Sequence, residues 1–83
     1  FMRIIGIDPG LTKTGVGIIE VKNNNISFVF SSTIYSSPNQ QLSLRLSFFH
    51  QELTKIINLY QPDVSAIEET FVNNKRNYSY IYT

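Results

Sequence analysis

Hydrophobic positions recur along the chain at two different periods. Arg3–Ile7, Arg-Ile-Ile-Gly-Ile, predicts a first strand, and Asp8-Pro9-Gly10 follows it as a turn signal. Gly15–Val21 predicts a second strand, with Val16, Ile18 and Glu20 on one side and Gly15, Gly17, Ile19 and Val21 on the other. Asn23-Asn24-Asn25 then turns the chain. Ile26–Tyr35 predicts a third strand, with Ile26, Phe28 and Phe30 at alternate positions. Such short connections make the three strands an antiparallel meander.

The period then lengthens. Ser37-Pro38-Asn39-Gln40 fits a capping box: Ser at the cap, Pro at the first helical position, Gln three residues after the cap. Leu42, Leu46, Phe49, Leu53, Ile56 or Ile57, and Tyr60 follow at steps of three and four, which predicts one helical stripe. Pro62 ends the helix, because a residue before proline avoids helical geometry. Asp63–Glu68 predicts a fourth strand. A strand, a crossover helix and a further strand imply parallel pairing, so the fourth strand is placed beside the first. The fold class is α/β: a mixed sheet of a three-strand antiparallel meander, a crossover helix and a parallel fourth strand. Tyr78, Tyr80 and Tyr82 recur at period two, which is strand-like.

Composition adds limits. The 83 residues make one small domain at most, and 42% hydrophobic with 16% charged residues is globular, not disordered. A net charge of +1 gives no bulk attraction for nucleic acid, so an anionic partner must be engaged locally. Cysteine is absent, which excludes disulfide staples and thiolate metal sites. No apolar run approaches the ~20 residues of a membrane span, and no signal segment is visible. A cytoplasmic protein is expected. Met2 reads as the natural start, and Phe1 as a remnant before it.

Candidate chemistry gathers where two strands end. Asp8 lies just past the first strand and Glu68 at the end of the fourth, and both carboxyl ends point the same way. Neighbouring strands lie ~4.8 Å apart, so the two carboxylates can converge. Alternation puts Asp8 on the face of Gly6 and Glu68 on that of Ala66, which leaves room for a bound group. Close carboxylates repel unless a cation sits between them, and Mg²⁺ is commonly held by one or two carboxylates with phosphate oxygens. Taken singly, Asp8 is equally a turn residue and Glu68 the solvated end of a strand.

Gly10, Gly15 and Gly17 bracket Leu11-Thr12-Lys13-Thr14. This is either a strain-relieving hairpin or a loop that approaches phosphate closely, with the hydroxyls of Thr12 and Thr14 and with Lys13 at hand. Phe71, followed by Val72, Asn73, Asn74, Lys75 and Arg76, offers an aromatic beside amides and cations. That set suits unstacked bases and phosphates, although Phe71 reads equally as a core aromatic. His50 reads as a boundary residue, and Glu20, Lys22, Glu52 and Lys55 as solvated charges. Asp63 begins the fourth strand, roughly 16 Å from its carboxyl end, and is excluded from the site.

Ile-Gly-Ile-Asp-Pro-Gly (5–10), Thr-Gly-Val-Gly (14–17), Arg-Leu (45–46) and Gln-Pro-Asp-Val-Ser-Ala-Ile-Glu-Glu-Thr-Phe-Val-Asn (61–73) together resemble the RuvC crossover-junction endodeoxyribonucleases. The resemblance spans 2–74. It implies a ribonuclease H-like fold and hydrolysis of DNA phosphodiesters at Holliday junctions with two Mg²⁺ or Mn²⁺ ions. It also implies a homodimer that works with the RuvA–RuvB branch-migration complex. By the same resemblance, Asp8 and Glu68 match the first two of four metal-binding acids, and Phe71 an aromatic inserted near the exchange point.

The family's other two acids lie beyond residue 83, and 75–83 departs from its pattern. The chain is therefore expected to be a single partial nuclease domain with a divergent tail. Its first and fourth strands are apolar on both faces, and one helix covers one face. The chain alone is expected to be marginal or aggregation-prone. Two other readings stay open: a non-catalytic remnant that binds branched DNA weakly, and a fragment of an actin-like ATPase whose 10–17 loop binds phosphate.

Overall fold

The elements run β1 (Met2–Asp8), β2 (Lys13–Lys22), β3 (Asn25–Tyr35), α1 (Leu42–Tyr60), β4 (Val64–Phe71) and β5 (Arg76–Tyr82). The structure is a computed structural model that describes residues 1–71 and 76–82, with side chains through Glu68. Among the described residues the strands form one sheet in the order β3-β2-β1-β4-β5. β1 pairs antiparallel with β2, from Met2↔Val21 to Asp8↔Gly15. β2 pairs antiparallel with β3, from Lys13↔Tyr35 to Lys22↔Asn25. β1 and β4 are parallel, from Ile4↔Val64 to Ile7↔Ile67. The meander, the crossover and the parallel fourth strand are thus present as the hydrophobic pattern predicts. The tyrosine-rich tail adds β5, antiparallel to β4 from Ser65↔Tyr82 to Phe71↔Arg76.

Local chemistry explains the turns. Asn23 and Asn24 both have positive φ, 49° and 67°. A two-residue hairpin of that hand needs left-handed backbone at both positions, and asparagine tolerates it. Gln61 caps α1 in the left-handed region, at φ 51°, and its N–H donates to Ile57 O at 2.8 Å.

The start of the helix differs from the expected capping box. α1 begins at Leu42 behind Gln41, which makes no side-chain cap hydrogen bond. Ser37-Pro38-Asn39-Gln40 instead forms its own turn: Ser37 O accepts from Gln40 N–H at 3.2 Å, and Ser37 Oγ from Asn39 N–H at 3.4 Å. Ser, Pro and Asn suit the first three positions of a type I turn as well as they suit a helix start.

The core lies between α1 and one face of the sheet. Ile5, Val16, Ile18 and Ile34 are buried there, and Phe49, Leu53, Ile56 and Tyr60 of α1 pack against them. Ile56 therefore belongs to the stripe, and Ile57 is exposed. Leu42 and Leu46 do not join it; both are exposed and face a cleft of about 280 Å³ beside Pro9, Leu11 and Ile34. A register shift between Ile18 and Ile19 overturns the alternation expected in β3. It pairs Phe30 with Ile18 and Phe28 with Ile19, so an extra residue, Val29, lies between. Phe30 turns to the core and stacks on Tyr60 at 4.7 Å between ring centroids, while Ile26 and Phe28 stay on the opposite face, 70% and 72% exposed. Glu20 is also not a free surface charge: its Oε2 takes Arg3 Nε at 3.0 Å in a half-buried pair. Glu52 pairs with Lys55 at 2.8 Å along the helix.

Candidate functional site

Parallel pairing brings the carboxyl ends of β1 and β4 to one edge of the sheet. Gly6 lies opposite Ala66 and Ile7 opposite Ile67, and the next step along each strand is Asp8 and Glu68. Both acids line one open cleft of about 330 Å³, together with Gly6, Gly15, Gly17 and Ala66. Asp8 is exposed and Glu68 half-buried. The small residues keep the space between them open. A Cβ on Gly17 would meet nothing within 4 Å, and one on Gly15 would meet Asp8 Cβ at 3.8 Å. The face is the one predicted: Gly6 and Ala66 sit two residues before the acids, and strand side chains repeat every second residue.

Among the described residues no group of three or more His, Cys, Asp or Glu gathers. The acids stand as a pair of hard oxygen donors, a set that suits Mg²⁺ or Mn²⁺ better than a softer ion. Asp63 is at the far end of β4, where its Oδ2 accepts from Arg3 N–H at 2.9 Å.

A second cleft, of about 420 Å³, continues from Asp8 over the loop 9–12 to β2 and β3. Thr12 and Lys13 line it. Thr14 does not: it is buried, on the same side of β2 as Val16 and Ile18. Alternation separates it from Lys13 and Gly15, which face the cleft. The loop is tight at Gly10, where a Cβ would lie 2.2 Å from Lys13 O. Phe71 closes β4 opposite Arg76 of β5. Asn73, Asn74 and Lys75 lie outside the described residues.

Three residues were missed by pattern reading. Arg45 donates from Nη2 to Leu11 O and from Nε to Ser36 Oγ at 3.4 Å. Ser36 N–H in turn donates to Thr12 O at 2.9 Å, so α1 and the end of β3 together hold the loop after Asp8. The signal was one cation amid Leu-Ser-Leu-Arg-Leu, away from the polar face of the helix. Thr33 and Tyr35 of β3 line the larger cleft with Asp8, because Thr33 pairs with Gly15 and Tyr35 with Lys13. Only the strand register reveals them.

A three-strand antiparallel meander joined through a crossover helix to a parallel fourth strand is a ribonuclease H-like fold. Comparisons with known proteins narrow this. The family model "Crossover junction endodeoxyribonuclease RuvC" matches residues 4–81. The RuvC proteins of Allorhizobium ampelinum and Rhizobium johnstonii are 47% and 49% identical over 72 residues, which is 87% of this chain and 43% of theirs. Among solved structures, Thermus thermophilus RuvC in complex with a Holliday junction substrate superposes with a TM-score of 0.79 over 92% of this chain and 47% of that one, at 24% identity. A second Thermus RuvC structure gives a TM-score of 0.74 at 23% identity. The chain belongs to the RuvC family, and it spans less than half the length of the curated relatives it matches.

Proposed function

We propose that this chain is the segment of a junction-resolving endonuclease that supplies its first two metal-binding acids, Asp8 and Glu68. The substrate is the phosphodiester backbone of a four-way DNA junction. One observation carries the reading: β1 and β4 are parallel neighbours in a register that sets both acids at one open end lined by glycine and alanine. Asp8 and Glu68 would hold divalent cations, Mg²⁺ or Mn²⁺, with phosphate oxygens of the strand as further ligands. When bound, such ions activate water and stabilise charge that develops on the phosphate. The carboxylates orient and do not attack. Thr12 and Lys13 flank the cleft and would bind the neighbouring backbone, and Phe71, Asn73, Asn74, Lys75 and Arg76 extend that contact past β4. Action as a homodimer, with the RuvA–RuvB complex and in the cytoplasm, belongs to the same proposal. In the described residues no helix is long and apolar enough to cross a membrane.

Among the described residues the acids stand as a pair, which also favours a second reading, in which these 83 residues bind a junction without cutting it. Mn²⁺ titration and junction binding test both. The chain is expected to bind Mn²⁺ and the junction without nicking it. Asp8→Asn keeps junction binding and loses Mn²⁺. In a fusion to the rest of a relative's nuclease domain, the wild-type segment nicks the junction and Asp8→Asn does not. Nicking by the Asp8→Asn fusion, or unchanged Mn²⁺ affinity in Asp8→Asn, overturns the assignment.

A further inference from the structure

We infer that Tyr35 is a stacking platform for an unpaired DNA base, in a subsite on the β3 side of the acid pair, with Lys13 beside it for the adjoining phosphate. The inference rests on the nucleic-acid reading above and adds a contact to it. Tyr35 is the last residue of β3 and lies opposite Lys13 of β2. Two residues earlier in β3, Thr33 lies opposite Gly15, which itself lies opposite Asp8. The alternation of strand side chains therefore puts Asp8, Lys13, Thr33 and Tyr35 on one face, and all four line the same cleft. Two strand spacings and two residues of rise set Tyr35 roughly 12 Å from Asp8 along the backbone, a nucleotide or two away from a phosphate held at Asp8.

The ring is available. Tyr35 is 68% exposed, and its side chain has no hydrogen-bond or ring partner among the described residues. An exposed aromatic beside a cation, at the wall of a cleft whose other wall is acidic, suits a base with its phosphate better than an apolar side chain. Every base offers a π-face, and stacking tolerates any sequence. In duplex DNA those faces are covered by neighbouring bases, so the ring selects strands that are unpaired, as at a point of strand exchange. The subsite is distinct from that expected for Phe71, which ends β4, three strands along the sheet from β3.

The test uses the 83-residue chain with a single-stranded oligonucleotide carrying 2-aminopurine at each position in turn, and with a four-way junction carrying it at each base beside the exchange point in turn. Stacking on Tyr35 quenches the probe at one position. Tyr35→Ala is expected to abolish that quench and to weaken binding by about 5-fold to 150-fold, the span of base–aromatic stacking. Its salt dependence should not change. Tyr35→Phe keeps the quench and affinity. Lys13→Gln keeps the quench and lowers the salt slope by about one. Wild-type affinity and quenching in Tyr35→Ala overturn this inference alone. Failure of the wild-type chain to bind either DNA overturns the nucleic-acid reading and this inference with it.

Discussion

Arg3 and Asp63 bind each other twice: the Arg3 N–H donates to Asp63 Oδ2 at 2.9 Å, and the Asp63 N–H donates to Arg3 O at 2.8 Å. This clasp closes the start of the parallel pair one residue before Ile4↔Val64. It also anchors the end of the crossover, since Arg3 Nη1 donates to Tyr60 O at 2.7 Å and Nε to Glu20 at 3.0 Å. A one-residue slip of β4 would move Glu68 to the other face. Asp63, remote from the acids, thus helps fix their register. Asp63→Ala is expected to lower stability by about 1 kcal/mol, the net worth of a typical hydrogen bond. Asp63→Asn retains an acceptor and should recover most of the loss. Urea titrations of the three proteins check both.

Gly10 and Gly17 line the site for opposite steric reasons. A Cβ at Gly10 would overlap Lys13 O, at 2.2 Å, and backbone must move to admit it. At Gly17 a Cβ meets nothing within 4 Å. Gly10→Ala is expected to cost about 1–3 kcal/mol, as overpacking does, and to weaken Mn²⁺ binding by displacing Asp8. Gly17→Ala should leave melting within about 0.5 kcal/mol of wild type, as unobstructed substitutions do. Equal melting temperatures for the two variants would contradict the loop geometry.

What was legible in the chain, and what was not, follows from the range of the interactions. Strand order and helix placement rest on local periods and on one topological rule, so the meander, the crossover and the Asp8–Glu68 neighbourhood could be written down beforehand. The face of Phe30 could not. It depends on a register shift opposite Ile18 and Ile19, and Phe28, Val29 and Phe30 are all apolar, so no polar residue marks the extra position. Ser37-Pro38-Asn39-Gln40 satisfies two local motifs at once. Pinning of Ser36 to Thr12 and Arg45 accompanies the turn that forms. The exposure of Leu42 and Leu46 depends on the cleft left between the start of α1 and Pro9, Leu11 and Ile34, which periodicity does not encode. The hydroxyl of Thr14 suits phosphate by type, but alternation with Val16 and Ile18 puts the side chain on the core side.

Among the described residues, Arg45 is the one cation that joins α1 to the loop after Asp8. Arg45→Ala removes the donors to Leu11 O and Ser36 Oγ. Stability should fall by about 1 kcal/mol, and amide exchange at Leu11, Thr12 and Lys13 should quicken more than exchange in β2. Arg45→Lys keeps the charge but lacks the fork that reaches two acceptors, so its loop exchange should resemble Arg45→Ala. Exchange in Arg45→Lys at the wild-type rate would show that charge alone holds the loop.

The face of the sheet away from α1 carries Ile26 and Phe28, 70% and 72% exposed, in line with Ile19 and Val21 of β2. Their exposure follows from topology, because the crossover places α1 on one side and no other described element covers the second. Apolar surface of this kind promotes self-association. A threonine at position 28 keeps strand propensity and removes the ring. Phe28→Thr is expected to change unfolding free energy by no more than about 0.5 kcal/mol, since the ring buries little. Binding of a hydrophobic dye and light scattering at high concentration should both fall. Substituting Phe30, one strand position past the register shift, should do the reverse. Phe30→Thr loses the stack on Tyr60 and part of the core, so it should cost about 2–4 kcal/mol and raise dye binding. A wild-type chain that melts sharply as a monomer without binding dye would refute the expected association, and equal effects of the two variants would refute the register shift that sends their rings to opposite faces.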